Sequence, residues 1–331
     1  MNCEASARPQ ILGRSPAFAG TLDLAARVSA FDAAVLIEGE TGTGKELLAR
    51  ELHHGSARRF SPFVPVNCGA LPETLVENEL FGHRRGAYTD ARSDQPGLLE
   101  LANDGTLFLD EIDSLCPRGQ LALLRFTQDE EFRPLGSTRV QRANVRIIAA
   151  SNRDLETLAL GGHFRLDLFY RLRVLHFWLP PLRERPGDPA LLAEHFVRVA
   201  SERFGKPVLP IDRMTLDWLD RYSWPGNVRE LEHLVYQAFL LATGSTLTIL
   251  PPASVATDGP PTRREDSGHL PKFRHAKRRA IEEFERGYLR EALHRARGNI
   301  SQAARLIGTE RRHLGRLLKK YQIAQPASSS A

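Results

Sequence analysis

The sequence predicts an α/β domain built on a parallel sheet with covering helices, followed by a small helical lid and a separate C-terminal all-α helix-turn-helix domain. Three observations carry that prediction. Five short apolar runs, "AAVLIEG" (33–39), "FVPVN" (63–67), "TLFLDE" (106–111), "VRIIAAS" (145–151) and "VLHFWL" (174–179), are mostly continuous and are separated by helical patterns. Strands buried on both faces read this way, whereas a half-solvated strand would alternate. After "LPPLRERPGDP" (179–189) the strand-like runs stop, and helical periodicity alone continues to about residue 247. Finally, charge divides along the chain: Pro261–Ala331 holds 17 Lys and Arg against 7 Asp and Glu, while the remainder holds 28 against 33.

Taken in order, residues 1–10 are expected to form an N-terminal arm, with partial order up to about residue 20. Residues 11–182 then make the sheet domain and 183–250 the lid. "LPPASVATDGPPTRREDSGHLP" (250–271) is rich in Pro, Gly, Ser and charge, so 251–271 reads as a linker. The helix-turn-helix domain spans 272–325, and 326–331 form a disordered tail. Its first helix, at about 274–296, carries the apolar stripe Ile281, Phe284, Tyr288, Leu289, Ala292 and Leu293.

The bulk numbers narrow the class. A chain of 331 residues with 42% hydrophobic and 26% charged residues is an ordinary globular composition, with length for two or three domains. Cys3, Cys68 and Cys116 are sparse, odd in number and without metal-ligand spacing, which points to a reducing compartment. The first residues give no expectation of an apolar leader, and no run approaches the ~20 apolar residues of a membrane helix. A cytoplasmic protein with no membrane partner is expected, and its basic C-terminal stretch is expected to meet a polyanion.

The first apolar run leads into "GETGTGKE" and then the helical pattern "KELLARELHH". A glycine-rich turn between strand and helix aims backbone amides and the positive helix end at phosphates. Gly39, Glu40, Thr41, Gly42, Thr43, Gly44, Lys45 and Glu46 are therefore candidate nucleotide-binding residues, with Lys45 reaching the β- and γ-phosphates. The general motif closes on Ser or Thr, where this sequence has Glu46. "TLFLDEID" ends its strand in Asp110, a candidate magnesium ligand directly or through water, and Glu111, a candidate for polarising the attacking water. ATP and Mg2+ are the expected cofactors.

With these motifs on the page, the chain resembles the AAA+ family, and within it the bacterial enhancer-binding proteins that activate sigma-54 RNA polymerase. The resemblance runs from about Ile11 to Ile323. It rests on "GETGTGKE" with its glutamate, "NELFGH", "GTLFLDEID", "FRLDLFYRL", "LPPLRER", "WPGNVREL" and the C-terminal helix-turn-helix. It implies that Asn67 is the switch asparagine that holds Glu111 until nucleotide is in place, and that Asn152 in "ASNRDL" is the sensor. Arg165 and Arg171 resemble arginine fingers supplied by a neighbouring subunit, a device worth ~10³–10⁵ in rate. Arg229 resembles the lid arginine that contacts nucleotide within one subunit. A site completed by a neighbour implies a ring, so the expected assembly is a homo-oligomer, dimer to hexamer, or a hetero-oligomer with a paralogue.

The run "GHRRGAYTDARSD" (82–94) lacks any helical or strand period. In the family this loop carries Gly-Ala-Phe-Thr-Gly-Ala, whose tip contacts sigma-54. Here Gly86, Ala87, Tyr88, Thr89, Asp90 and Ala91 align with it without gaps. Tyr for Phe keeps the ring. Asp90 for Gly adds a charge and removes easy access to positive φ. Two readings follow: the loop still engages sigma-54, or the contact is degraded and the protein acts with another polymerase form or as a repressor.

"ISQAARLIG" and "TERRHLGRLLKKY" read as two short helices about a turn at Gly308, with Ala303, Ala304, Leu306, Ile307, Leu314, Leu317 and Leu318 as a small core. Arg311, Arg312, His313, Arg316, Lys319 and Lys320 are candidate DNA contacts, the early arginines for base edges and the lysines for phosphates. Gly315 departs from the larger residue usual in this helix, at a cost of ~1 kcal/mol relative to alanine. Paired domains would read a palindromic upstream enhancer in double-stranded DNA.

The leading expectation is an ATP-hydrolysing activator that remodels sigma-54 RNA polymerase closed complexes. The alternative is a DNA-binding regulator that uses ATP for assembly without remodelling, as a repressor or partner-dependent activator. A remodelling factor for some other protein is a third, disfavoured by the basic C-terminal domain. Most relatives carry an N-terminal regulatory domain, and none is expected here ahead of the glycine loop at residue 39. Control is therefore expected from a separate regulatory protein, a paired paralogue or expression level.

Overall fold

The computed structural model describes residues 11–251, 289, 296, 299–306, 309 and 311–320, with the backbone alone at 306, 311–313, 319 and 320. The chain divides into two compact units, Met1–Ala256 and Thr257–Ala331. Along the first, the strands are β1 (Val35–Glu38), β2 (Phe63–Asn67), β3 (Gly82–His83), β4 (Gln95–Pro96), β5 (Thr106–Asp110), β6 (Glu131–Phe132), β7 (Gln141–Arg142), β8 (Arg146–Ser151) and β9 (Leu175–Trp178). The helices are α1 (Pro16–Val28), α2 (Lys45–His54), α3 (Val76–Phe81), α4 (Leu98–Leu101), α5 (Pro117–Asp129), α6 (Leu155–Leu160), α7 (Leu166–Leu172), α8 (Asp188–Phe204), α9 (Arg213–Leu219) and α10 (Asn227–Leu241).

The five predicted apolar runs become one parallel sheet in the order β2-β5-β8-β1-β9. In the central strands β1, β5 and β8 the side chains alternate between two dry layers, while the edge strands β2 and β9 expose Pro65, His176 and Trp178. Leu36, Leu107, Leu109, Ile147 and Ala149 join the core beneath α3, α5, α6 and α7. Val35, Ile37, Phe108, Ile148, Ala150 and Phe177 join the core beneath α1 and α2. A strand with both faces dry has no polar side to show, which is why the three central runs read as continuous. Each such Leu, Ile or Phe contributes roughly 1.5–3 kcal/mol by burial.

Helices α8, α9 and α10 close a separate apolar cluster around Trp224, Leu231, Val235 and Phe239. That cluster is the lid. Gly187, at φ +79, opens α8, and Pro189 occupies its first turn, a position where a missing N–H costs nothing.

The amino-terminal expectation needs correcting. The partly ordered stretch does not reach residue 20, because α1 begins at Pro16 with Ser15 at its N-cap. Ser-Pro at a helix start is a local signal. The Ser15 hydroxyl, however, donates to Asp188 at 3.0 Å instead of capping its own helix.

Two short antiparallel pairs, β3 with β4 and β6 with β7, stand outside the main sheet. With two residues per strand, neither leaves a period to read.

In the second unit, helices Ile300–Leu306 and Arg311–Lys320 pack through Ala303, Ala304, Leu314 and Leu318, joined by Leu289 and Ala296. Asn299 Oδ1 accepts from the amides of Ser301 and Gln302 at 3.0 and 3.2 Å and so starts the first of these helices. The linker, Gly308, Ile307 and most of the expected 274–296 helix lie outside the described residues.

Candidate active site

Parallel strands present their carboxyl ends on one edge of the sheet, where ligands of such folds gather. Here β1 runs into Gly39–Glu46, β2 ends at Asn67, β5 at Asp110 and β8 at Ser151, just before Asn152. The sheet thus collects residues from four distant stretches of sequence at one edge.

The loop turns through Gly42 at φ +79 and Gly44 at φ +103, and α2 begins at Lys45. A Cβ on Gly42 would lie 2.5 Å from the Gly226 carbonyl, so the lid's close approach forbids a side chain there as well. Lys45 is buried, and its three ammonium protons match three acceptors: Gly39 O at 2.8 Å, Glu40 O at 3.0 Å and Asn152 Oδ1 at 2.5 Å. Burial lowers its pKa, and Asp110, Asp113 and Glu111 pull the other way. Thr43 Oγ1 donates to Glu40 O at 2.8 Å and tightens the turn. Glu46 pairs with Arg50 at 2.7 Å, one helical turn on.

Asp110 is half-buried, and that burial raises its pKa. Glu111 follows at φ +52, a left-handed conformation that a glutamate adopts only under constraint. Asn152 Nδ2 approaches Glu111 Oε1 at 3.5 Å. Asn67 stands across from Asp110 in the β2–β5 register. A Cβ on Gly69 would meet Glu111 Oε2 at 3.0 Å and Asn67 Oδ1 at 3.2 Å, which places both side chains on one side of that glycine. The expected Asn67–Glu111 contact is nevertheless not made: Asn67 Oδ1 accepts from the Gly69 amide at 2.8 Å. The neighbouring Cys68 thiol is pushed up to about 12 by burial and by Asp110, Asp113 and Glu111, which favours its protonated form.

Thr41, Gly42, Lys45, Glu46, Asn67, Asp110, Glu111, Asn152 and Arg229 line one cleft of about 300 Å³. Arg165 and Arg171 do not reach it. Both are exposed on α7 or its N-cap: Arg165 pairs with Asp167 at 2.7 Å, and Arg171 donates to Thr127 O at 3.3 Å. Sequence reasoning missed the adjoining apolar cleft of about 330 Å³, which shares Gly44, Leu47, Val228 and Glu232 with the first. Its further walls come from Ile11, Leu12 and Phe18 at the amino-terminal end and from Leu192, Phe196 and Tyr236 in the lid. No local motif marks it, because its walls meet only in the fold. A larger hollow of about 520 Å³, between α10 and Thr246–Pro251, is lined by no titratable side chain.

The Gly82–Pro96 hairpin holds the run with the odd tyrosine. The Ala91 amide donates to Tyr88 O at 3.0 Å and the Gly86 amide to Ala91 O at 2.8 Å, which closes a tight turn with Thr89 and Asp90 at its centre. Tyr88, Thr89 and Asp90 are exposed, and the Tyr88 ring rests on His83 at 5.0 Å between centroids. Asp90 is not among the described residues with positive φ. The expected difficulty of replacing glycine there does not arise, since the turn asks nothing of residue 90 that aspartate refuses. Arg84 pairs with Asp94 at 2.9 Å across the base of the loop.

Comparison with known proteins decides the family. The family model described as the Sigma-54 interaction domain matches residues 11–177, the AAA+ ATPase lid domain 183–265, and the bacterial regulatory protein, Fis family, 280–321. The chain belongs to the sigma-54-dependent transcriptional regulators. The regulatory protein AtoC of Escherichia coli (strain K12) is 41% identical to this regulator over 319 residues, covering 95% of this chain and 68% of AtoC. The hydrogenase transcriptional regulatory protein HoxA of Bradyrhizobium diazoefficiens is 42% identical over 315 residues, covering 94% of this chain and 64% of HoxA. Crystal structures of NtrX from Brucella abortus superpose with TM-scores of 0.72 for its ADP complex and 0.70 for its ATP complex. These are 32% and 33% identical, and each covers 95% of this chain and 69% of NtrX. The regulator thus spans about two thirds of the length of these relatives. No helix among its described residues is long and apolar enough to cross a membrane.

Proposed function

We propose that this regulator hydrolyses ATP in a ring and uses the turnover to remodel sigma-54 RNA polymerase from an upstream enhancer. The observation that carries the reading is the convergence of Lys45, Asp110, Glu111, Asn152 and Arg229 on one cleft at the start of α2. The donor set suits a polyphosphate: a glycine turn too tight for a Cβ at Gly42, the amides opening a helix, and a buried ammonium. The apolar cleft beside it suits an adenine base.

In this reading Lys45 and the loop amides hold the β- and γ-phosphates. Asp110, at the carboxyl end of β5 in the cleft, would hold Mg2+. The ion supplies charge neutralisation at the phosphates. Glu111 orients a water on the far side of the γ-phosphate and takes its proton, and Asn152, 3.5 Å away, sets the position of that carboxylate, while Asn67 engages it only when the nucleotide state changes. Arg229 contacts nucleotide from the lid. Arg165 and Arg171, exposed and outside their own cleft, serve the cleft of the next subunit.

Tyr88 and Thr89 are the sigma-54 contacts, presented by the Tyr88–Ala91 turn. In the C-terminal unit, Arg311, Arg312 and His313 lie at the start of the second helix, where base edges are reached. Arg316 is exposed midway, and Lys319 and Lys320 end the helix, where phosphates are met.

Glu111→Gln is the direct test. The variant is expected to bind ATP while its steady-state hydrolysis falls by roughly 10²–10⁴; normal turnover would place the base elsewhere. For the loop, sigma-54 binding is measured with a phosphate mimic trapped beside ADP, for the natural protein and for Asp90→Gly. Capture by the natural protein supports the activator. Capture by Asp90→Gly alone favours the regulator that assembles with ATP but does not remodel sigma-54.

A further inference from the structure

The two carboxylates of the Gly39–Glu46 loop have different fates. Glu46 pairs with Arg50 within α2. Glu40 leaves the loop toward the segment joining sheet to lid. There Arg183 grips it with both terminal nitrogens, Nη1 to Oε2 at 2.9 Å and Nη2 to Oε1 at 2.6 Å. Asn227 Nδ2 donates to the same Oε2 at 3.1 Å and to Thr41 O at 3.0 Å, while its Oδ1 accepts from the Leu182 amide at 2.8 Å. The Val228 amide donates to Gly42 O at 3.0 Å. Asn227 is wholly buried and held at φ +51, a conformation that persists where the surroundings over-determine it. Three segments, 40–42, 182–183 and 226–228, are thus tied at one point beside the phosphate loop.

The tie has an electrostatic side. A free carboxylate on a loop that receives a polyanion opposes its binding. The Arg183 hydrogen bonds hold the Glu40 carboxyl below its usual pKa, against the effect of burial, so the acid is ionised and matched by one cation. We propose that Arg183 is a positioning residue for nucleotide binding: it neutralises Glu40 beside the phosphates and, with Asn227, fixes the loop to hinge and lid. Lid placement and affinity for the terminal phosphate are then set together. The inference rests on the reading of the cleft as an ATP site.

The test measures affinities of fluorescent ATP and ADP analogues for the full chain, alongside thermal melting of the nucleotide-free protein. Failure of the natural protein to bind either analogue would remove the site reading itself, whatever Arg183 does. Given binding, Arg183→Ala is expected to weaken ATP about tenfold and ADP about threefold, because the γ-phosphate adds charge facing an unmatched Glu40. Glu40→Gln, which deletes that charge, is expected to tighten ATP about twofold, and adding it to Arg183→Ala to recover about fivefold. Equal losses for both nucleotides without recovery would mean that the contact only supports the fold, and would overturn the proposal. Should Arg183→Ala melt too low to assay, Glu40→Gln alone decides by sign: weaker ATP binding overturns it, tighter binding sustains it.

Discussion

The Asp188 carboxylate accepts from the amides of Arg14 and Ser15 at 2.6 and 3.1 Å, from Ser15 Oγ at 3.0 Å and from Arg185 Nε at 2.8 Å. Arg185 in turn donates to Leu12 O at 3.0 Å and lies 3.6 Å over the Phe18 ring. Burial alone would raise the Asp188 pKa, but the amides and the guanidinium hold it below the usual range. A depressed carboxyl pKa means stability that is in place above about pH 4 and is lost as pH falls further. Asp188→Asn leaves Arg185 buried without a counter-charge and should cost about 3–5 kcal/mol at pH 7, read as a lower urea midpoint. A loss under about 1 kcal/mol would mean that the pair is dispensable. Two positions at this scale turn on glycine. Asp90 sits at ordinary φ, so its charge, and not its backbone, is what distinguishes it. Gly315 lies within the helix Arg311–Lys320, with no heavy atom among the described residues within 4 Å of where a Cβ would stand.

Elements are joined by similar polar pins. His53 on α2 meets Thr106 Oγ1 on β5 at 2.9 Å, and burial lowers its pKa to about 4. The unfolded value is about 6.5, so the folded state favours the neutral ring. The sign is therefore fixed: its stabilisation is complete above about pH 6.5 and is lost progressively as pH falls toward the folded value. Unfolding free energy measured from pH 7 to pH 4 should fall more steeply for the natural protein than for His53→Gln; parallel curves would count against it. The legibility of elements followed their length and surroundings. The central strands β1, β5 and β8 were readable because both faces are dry, and the edge strands β2 and β9 from their β-branched and aromatic residues. The β3–β4 pair was not, since its two-residue strands are placed by partners such as Leu135, whose amide donates to Gly82 O at 2.9 Å. The start of helix α1 was not legible from composition, since its Ser15-Pro16 signal falls inside the stretch expected to be partly ordered.

The whole molecule separates its chemistry by charge. The acidic first unit holds the cleft, and the basic second unit holds the two-helix motif. A chain ended at Ala256 is therefore expected to fold and bind ATP while losing affinity for double-stranded DNA. For the full chain, that affinity should fall as salt rises, with a slope that reports the phosphates neutralised. Salt-independent DNA binding by the shortened chain would contradict this division. The sequence by itself determined the layered α/β class, the phosphate loop, the Asp110–Glu111 pair and the basic helix-turn-helix, because each is written in spacing and local conformational chemistry. Only the tertiary structure decided what grips Glu40 from 143 residues away, what surrounds Asp188 from 174 residues away, and where the apolar cleft lies. Such contacts follow from chain segments brought together by burial, which leaves no periodic trace in either segment alone.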